Sequence, residues 1–159
     1  MCGPSRTFLL PRFGTPALLY ALLEAGANVR VAQAPFSASI LDRGSVDFGY
    51  GSLLVTPQLN KELPAQALSL LQTAAEDGLP VYPVASSHTA RGIDLGSRDF
   101  HMLEMPKALI ATGAGTSAYD VGEIWHLLDQ RVQMPLTMVD THRLSQVDLS
   151  NYTHLILTN

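Results

Sequence analysis

Side chains able to do chemistry sit in only a few places in this sequence. The run Gly113, Ala114, Gly115, Thr116, Ser117 comes first. Glycines and hydroxyls ahead of a helix gather free backbone N–H groups, an arrangement that favours an anion. The run lacks the third glycine and the acidic residue of a dinucleotide-binding turn, and the Gly-Lys-Ser/Thr of a phosphate loop. A tight turn accounts for the same residue types. With Glu123 on the helix that follows, the candidate pocket is Gly113, Gly115, Thr116, Ser117 and Glu123. Glu123, His126 and Asp129 are spaced three apart and lie on one helical flank. They could ligate a metal, meet a partner, or form a charged solvent face beside the apolar stripe. Cys2 is the single cysteine, which excludes an internal disulfide and any multi-cysteine metal site. Its place near the terminus reads as a loose thiol rather than a nucleophile.

Residues 107–140 must position the first two of these sets. The apolar run 108–112, closed by Gly113, reads as a strand buried on both faces. Thr116 or Ser117 is placed to cap a helix. Val121, Ile124, Trp125, Leu128 and Val132 recur at helical spacing as one apolar stripe, with Trp125 in the core. Pro135 ends the helix and 136–139 returns as a strand. Strand, turn, helix and strand make a βαβ unit with a parallel pair.

The rest of the chain reads in the same vocabulary. Residues 7–10, 28–32, 51–56 and 154–158 are strands. Residues 13–16 form a turn, with Thr15 placed to cap and Pro16 at the first helical position. Residues 17–25 and 64–77 are helices, with leucines on one stripe of each and Gly26 and Gly78 as stop signals. Residues 35–46 look irregular. Residues 79–84 carry Pro80 and Pro83, which places that strand at a sheet edge or keeps it short. Residues 86–105 show no period and read as a surface connector. The stretches 7–56 and 107–158 repeat in outline.

Composition bounds the class. Of 159 residues, 47% are hydrophobic and 15% charged, with net charge −4, enough for one sizeable core or two small ones. Mild acidity without a Lys/Arg cluster argues against nucleic acid as a partner. No apolar run approaches the roughly 20 residues of a membrane span, and no signal peptide is evident. The expected fold is α/β, a mostly parallel sheet with helices on both faces. It is built from two related units, 1–85 and 106–159, joined by the connector 86–105. The sequence stops on what reads as a strand, so the chain is expected to be a piece of a longer protein. The second unit is expected to expose apolar surface, to be covered in a homo-oligomer or by the rest of its own parent chain.

Residues 92–97, Pro106 and Lys107, 122–129, and Tyr152 with Leu155, Ile156 and Leu157 carry a resemblance. They resemble the region after the catalytic domain in large bacterial zinc carboxypeptidases of the carboxypeptidase A-like superfamily. The likeness is best over 92–159. It implies a flavodoxin-like fold of the class I glutamine amidotransferase type, and a secreted or periplasmic metallopeptidase as the parent protein. Zinc is then implied for that parent and no cofactor for this chain.

The resemblance also sets what a catalytic chain would need. A carboxypeptidase of this type holds zinc with His-x-x-Glu and a distant third His. His101 and Glu104 match that string, but in the connector, and the third ligand would have to be His126, His142 or His154. An amidotransferase needs a cysteine on a sharp strand-to-helix turn. The comparable turn in the first unit is 57–60, Pro-Gln-Leu-Asn, which holds none. The expectation is a non-catalytic accessory domain of a zinc carboxypeptidase-like protein, with no catalytic or metal-ligating residue of its own. The alternative is a stand-alone amidotransferase-like hydrolase or small-molecule-binding domain.

Overall fold

Period-2 burial runs through the first part of the chain and dictates its architecture. In β1, Phe8–Leu10, the side chains of Phe8 and Leu10 join one apolar cluster and Leu9 joins another. In β5, Leu53–Thr56, Leu53 and Val55 join the first and Leu54 the second. Alternating residues thus feed two cores on opposite faces of one sheet. Fully burying side chains such as Phe8, Leu9 and Leu54 contributes roughly 1.5–3 kcal/mol each. The computed structural model describes residues 6–11, 16–41, 43–57 and 62–159. The turn expected at 13–16 lies outside these except for Pro16, as does Cys2.

The chain divides into two compact units, 1–104 and 105–159. The first is a seven-stranded sheet. Its further strands are β2, Asn28–Ala32; β3, Phe36–Ile40; β4, Gly44–Phe48; β6, Tyr82–Gly92; and β7, Phe100–Met102. The order is β4-β3-β6-β1-β5-β2-β7, and every neighbouring pair is antiparallel. Helices α1, Pro16–Glu24, and α2, Ala65–Glu76, supply Leu22, Ala67 and Leu71 to the same cluster as Phe8 and Val55. Both helices therefore pack on one face. β1 and β2 run parallel but are separated by β5; β5 and β6 run parallel but are separated by β1. That is the connectivity of a ferredoxin-like split βαβ pair, extended by the β3–β4 hairpin and by β7. On the other face Phe36 stacks on Phe48 at 5.2 Å and meets Phe100 edge-on.

The mostly parallel, flavodoxin-like sheet with helices on both faces is overturned by this arrangement. Seven strands lie in the antiparallel sheet and only three pair in parallel. A strand covered on both faces reads as a continuous apolar run whichever way its neighbours point, so the runs at 7–10 and 53–56 did not encode direction. The repeat of 7–56 in 107–158 fails for the same reason. Residues 35–46, expected to be irregular, contribute β3 and β4, and the connector contributes β7 and much of β6. β6 is interior rather than at an edge: Pro83 lies opposite Phe8, and its carbonyl accepts the Leu41 N–H at 3.0 Å. Register shifts between β3 and β6 accommodate the strand.

The second unit is a three-stranded parallel sheet. β8, Ala108–Thr112, lies between β9, Leu136–Asp140, and β10, His154–Ile156. β8 leads through α3, Ala118–Trp125, to β9, as a βαβ unit requires. The helix continues as one π-helical turn, His126–Arg131. The chain then crosses past β8 to reach β10 through two 3-10 turns. Leu109 and Ile110 are fully buried, but Val121 is the only buried residue of α3. The stripe through Trp125 is not a core stripe: Trp125 is 37% exposed. Leu127, Met138, Leu155 and Leu157 are exposed as well.

Candidate functional site

The carboxyl ends of β8 and β9 gather the residues that the sequence singled out. Gly113 adopts φ 96°, and a Cβ there would stand 2.7 Å from Asp140 Oδ2, so only glycine fits the approach of the two strand ends. Gly115 also has positive φ. The Thr116 hydroxyl donates to Gly113 O at 2.9 Å, closing the turn on itself. Ser117 is the helix cap, its Oγ accepting from Asp120 N at 3.3 Å. From the end of β9 and the turn after it, Thr141 donates to Ala114 O at 3.0 Å and Asp140 Oδ1 accepts from His142 N at 2.9 Å. The hydroxyls of the candidate pocket are thus engaged in holding backbone. Glu123 lies on α3, exposed to solvent. The cavity at this end of the unit is lined instead by Met138, Asp140, His142 and Arg143, of which the sequence brought forward His142 alone, and as a metal ligand.

The metal candidates do not converge. His101 lies exposed on β7, and Glu104 follows beyond that strand's end. Among the described residues, no group of three or more His, Cys, Asp or Glu side chains is placed to hold a metal ion. Glu123, His126 and Asp129 line the solvent side of α3 and its π-turn, and Asp129 accepts from Gln130 at 2.6 Å.

A second polar cavity, missed from the sequence, lies wholly within the first unit. In β2, Val29 and Val31 point to the helix-covered face. Asn28 and Arg30 therefore point to the other, opposite Thr56 and Leu54 of β5. They floor a cavity of about 460 Å³, within the range of small-molecule sites. Thr7, Ser86 and Leu95 contribute to its lining, as does Arg6. Leu95 is held over it by its N–H on Ser87 O at 3.3 Å. Asp94 clamps that loop, its Oδ1 accepting from Thr89 N at 2.9 Å and Thr89 Oγ1 at 3.2 Å. Those bonds hold the Asp94 carboxyl below the usual carboxylate range, the backbone N–H contributing most.

Among the described residues, three buried side-chain atoms have no hydrogen-bond partner: Asn28 Oδ1, Arg30 Nε and Thr158 Oγ1. Two of the three belong to side chains that line this cavity, although the atoms themselves are closed off from its space. Each such group costs about 1–3 kcal/mol. The signal was present in the sequence: in a strand covered on both faces, Asn28 and Arg30 two residues apart mark a polar hole on one of them.

Among the described residues, no helix is long and apolar enough to cross a membrane. No family model matches the chain, and no curated protein or solved structure matches it.

Proposed function

We propose that this chain is a non-catalytic accessory part of a zinc carboxypeptidase-like protein, with the metal and the hydrolytic groups carried elsewhere in that protein. The resemblance through residues 92–97, 106–107, 122–129 and 152–157 supplies the family. One structural observation supports the non-catalytic role: the hydroxyls at the end of β8 are engaged in fixing the backbone. Thr116 is held by Gly113 O and Ser117 by Asp120 N. A nucleophile needs its hydroxyl beside a base instead. Within such a protein the chain would orient substrate or mediate association, and the exposed Leu155 and Leu157 would be covered by the rest of the parent.

Metal analysis after zinc loading and dialysis, together with a carboxypeptidase and a glutaminase assay, tests this on the purified chain. The expected result is less than stoichiometric zinc and no turnover of either substrate. One zinc per chain, with activity lost in the His101→Ala variant, would overturn the reading. Secretion to the periplasm in the native host is the expected location of the parent protein.

A further inference from the structure

Three neighbouring strands each bring a polar side chain to one end of the face opposite the helices. Alternation sends Phe8, Val29 and Val55 to the helix-covered core, so Thr7, Asn28 and Thr56 turn to the other side. Asn28 lies opposite Thr56, and the pairing of Phe8 with Val55 sets Thr7 beside Thr56. Arg30 follows two residues along β2, across from Leu54. All four line the cavity of about 460 Å³. Their atoms divide into two sets. Arg30 Nε and Asn28 Oδ1 are closed off from its space. Arg30 Nη1 and Nη2, Asn28 Nδ2 and the hydroxyls of Thr7 and Thr56 are not, and the chain gives none of them a hydrogen-bond or ion-pair partner. Every one of these open groups can donate a hydrogen bond. Among the described residues no carboxylate lines the cavity. Asp94, beside Leu95 in the wall, has its Oδ1 occupied by Thr89 and His88 as its charged neighbour. Arg6 also lines the cavity and is already engaged. Arg30 is therefore a half-buried cation without a counter-ion, an arrangement that is unfavourable until an anion arrives.

We propose that this cavity binds a small phosphomonoester through its phosphate group. Two phosphate oxygens accept from Arg30 Nη1 and Nη2, as bidentate guanidinium–phosphate pairs do. The third accepts from the hydroxyls and the Asn28 amide in the adjoining row. Donors arriving from three strands suit a tetrahedral oxyanion better than a planar carboxylate, whose two oxygens the guanidinium alone would occupy. The cavity leaves space beside the phosphate, and Pro57, Val84 and Leu95 give that space an apolar side for a short aliphatic ester group. The assignment stands apart from the accessory role: a chain with its own zinc and turnover could still hold such a ligand, and an inert chain could fail to.

The isotope-labelled 159-residue chain is titrated with isobutyl phosphate, inorganic phosphate, isovalerate and isobutanol at constant ionic strength, and backbone amide shifts are followed. Saturable shifts are expected at residues 7, 28, 30 and 56 with isobutyl phosphate. Inorganic phosphate, which lacks the aliphatic group, binds about threefold or more weakly. Isovalerate, with a similar tail on a planar carboxylate, binds about tenfold or more weakly, and isobutanol does not bind. Arg30→Met removes the response. The Thr56 hydroxyl makes no bond within the chain, so Thr56→Val keeps the fold and weakens binding about fivefold. The proposal is overturned by the absence of saturable shifts at these residues, by isovalerate or inorganic phosphate binding as tightly as isobutyl phosphate, or by wild-type affinity in Thr56→Val.

Discussion

The two units solve the same problem with unequal means. In the first, β1 and β5 lie inside the sheet, flanked by strands on both sides and by apolar clusters on both faces. In the second, β8 alone is treated that way, and its neighbours β9 and β10 are edges whose side chains are largely in solvent. Hydrophobic stabilisation scales with area removed from water, so equal substitutions carry unequal weight in the two places. Sequence hydrophobicity is a poor guide to that weight, since Leu54 and Leu155 look alike as letters.

The contrast is broken most directly by truncating those two leucines. Leu54→Ala empties a fully buried site and is expected to cost about 2–5 kcal/mol, whereas Leu155→Ala, 43% exposed, costs less than about 1 kcal/mol. Amide exchange of β5 and β8 measures both, and equal losses would erase the distinction. Next comes Gly92→Ala in β6. A Cβ there would lie 2.3 Å from Pro35 O at φ 85°, so a loss of roughly 2–4 kcal/mol is expected in denaturant titration. A wild-type midpoint would show that the β3–β6 crossing has slack. In the second unit Ser117→Ala removes the α3 cap and costs about 1 kcal/mol, seen as faster exchange in the first helical turn.

The smallest effect compares two carboxylates. Asp94 in the first unit and Asp148 in the second both titrate below the ordinary range. For Asp148 the Ser150 hydroxyl is the main cause; for Asp94 it is the Thr89 backbone N–H. A lowered native value means each stabilises the fold above the unfolded-state pKa, and the contribution is lost as pH falls through the native value. Ser150→Ala should therefore raise the Asp148 pKa further than Thr89→Val raises that of Asp94. Carboxyl chemical shifts followed across acid pH would check it, and the reverse order would assign the causes wrongly.

What was legible came from local signals. The helices at 17–25 and 64–77, the strands at 28–32, 51–56 and 108–112, and a cap at Thr116 or Ser117 follow from spacing and turn chemistry that each segment carries by itself. The parallel pairing of 108–112 with 136–139 was legible because one short helix joins them. Pairing direction in the first unit was not. It depends on β5 coming between β1 and β2, contacts made across 42 and 20 residues of intervening chain that no local window contains. β3 was overlooked for a different reason: Phe36, Ala38 and Ile40 alternate with Ser37 and Ser39 at strand period, but over only five residues set among polar neighbours, and Ser37 is satisfied by donating to Asp47. β6 was hidden because its far half is exposed and held by hydrogen bonds rather than burial. At the candidate turn the residue types were legible, but not their engagement with the backbone, which depends on Asp140 and Thr141 arriving from the next strand.

The placement of β1 also has a consequence for biosynthesis. Phe8, Leu9 and Leu10 leave the ribosome well before the strands on either side of them, which are complete only by residues 56 and 83. At about 5–20 residues per second the nascent chain carries these unpaired apolar residues for several seconds. A ribosome pausing between α1 and β6 would prolong that exposure, whereas a pause once residue 104 has emerged from the exit tunnel would find the first unit already able to close.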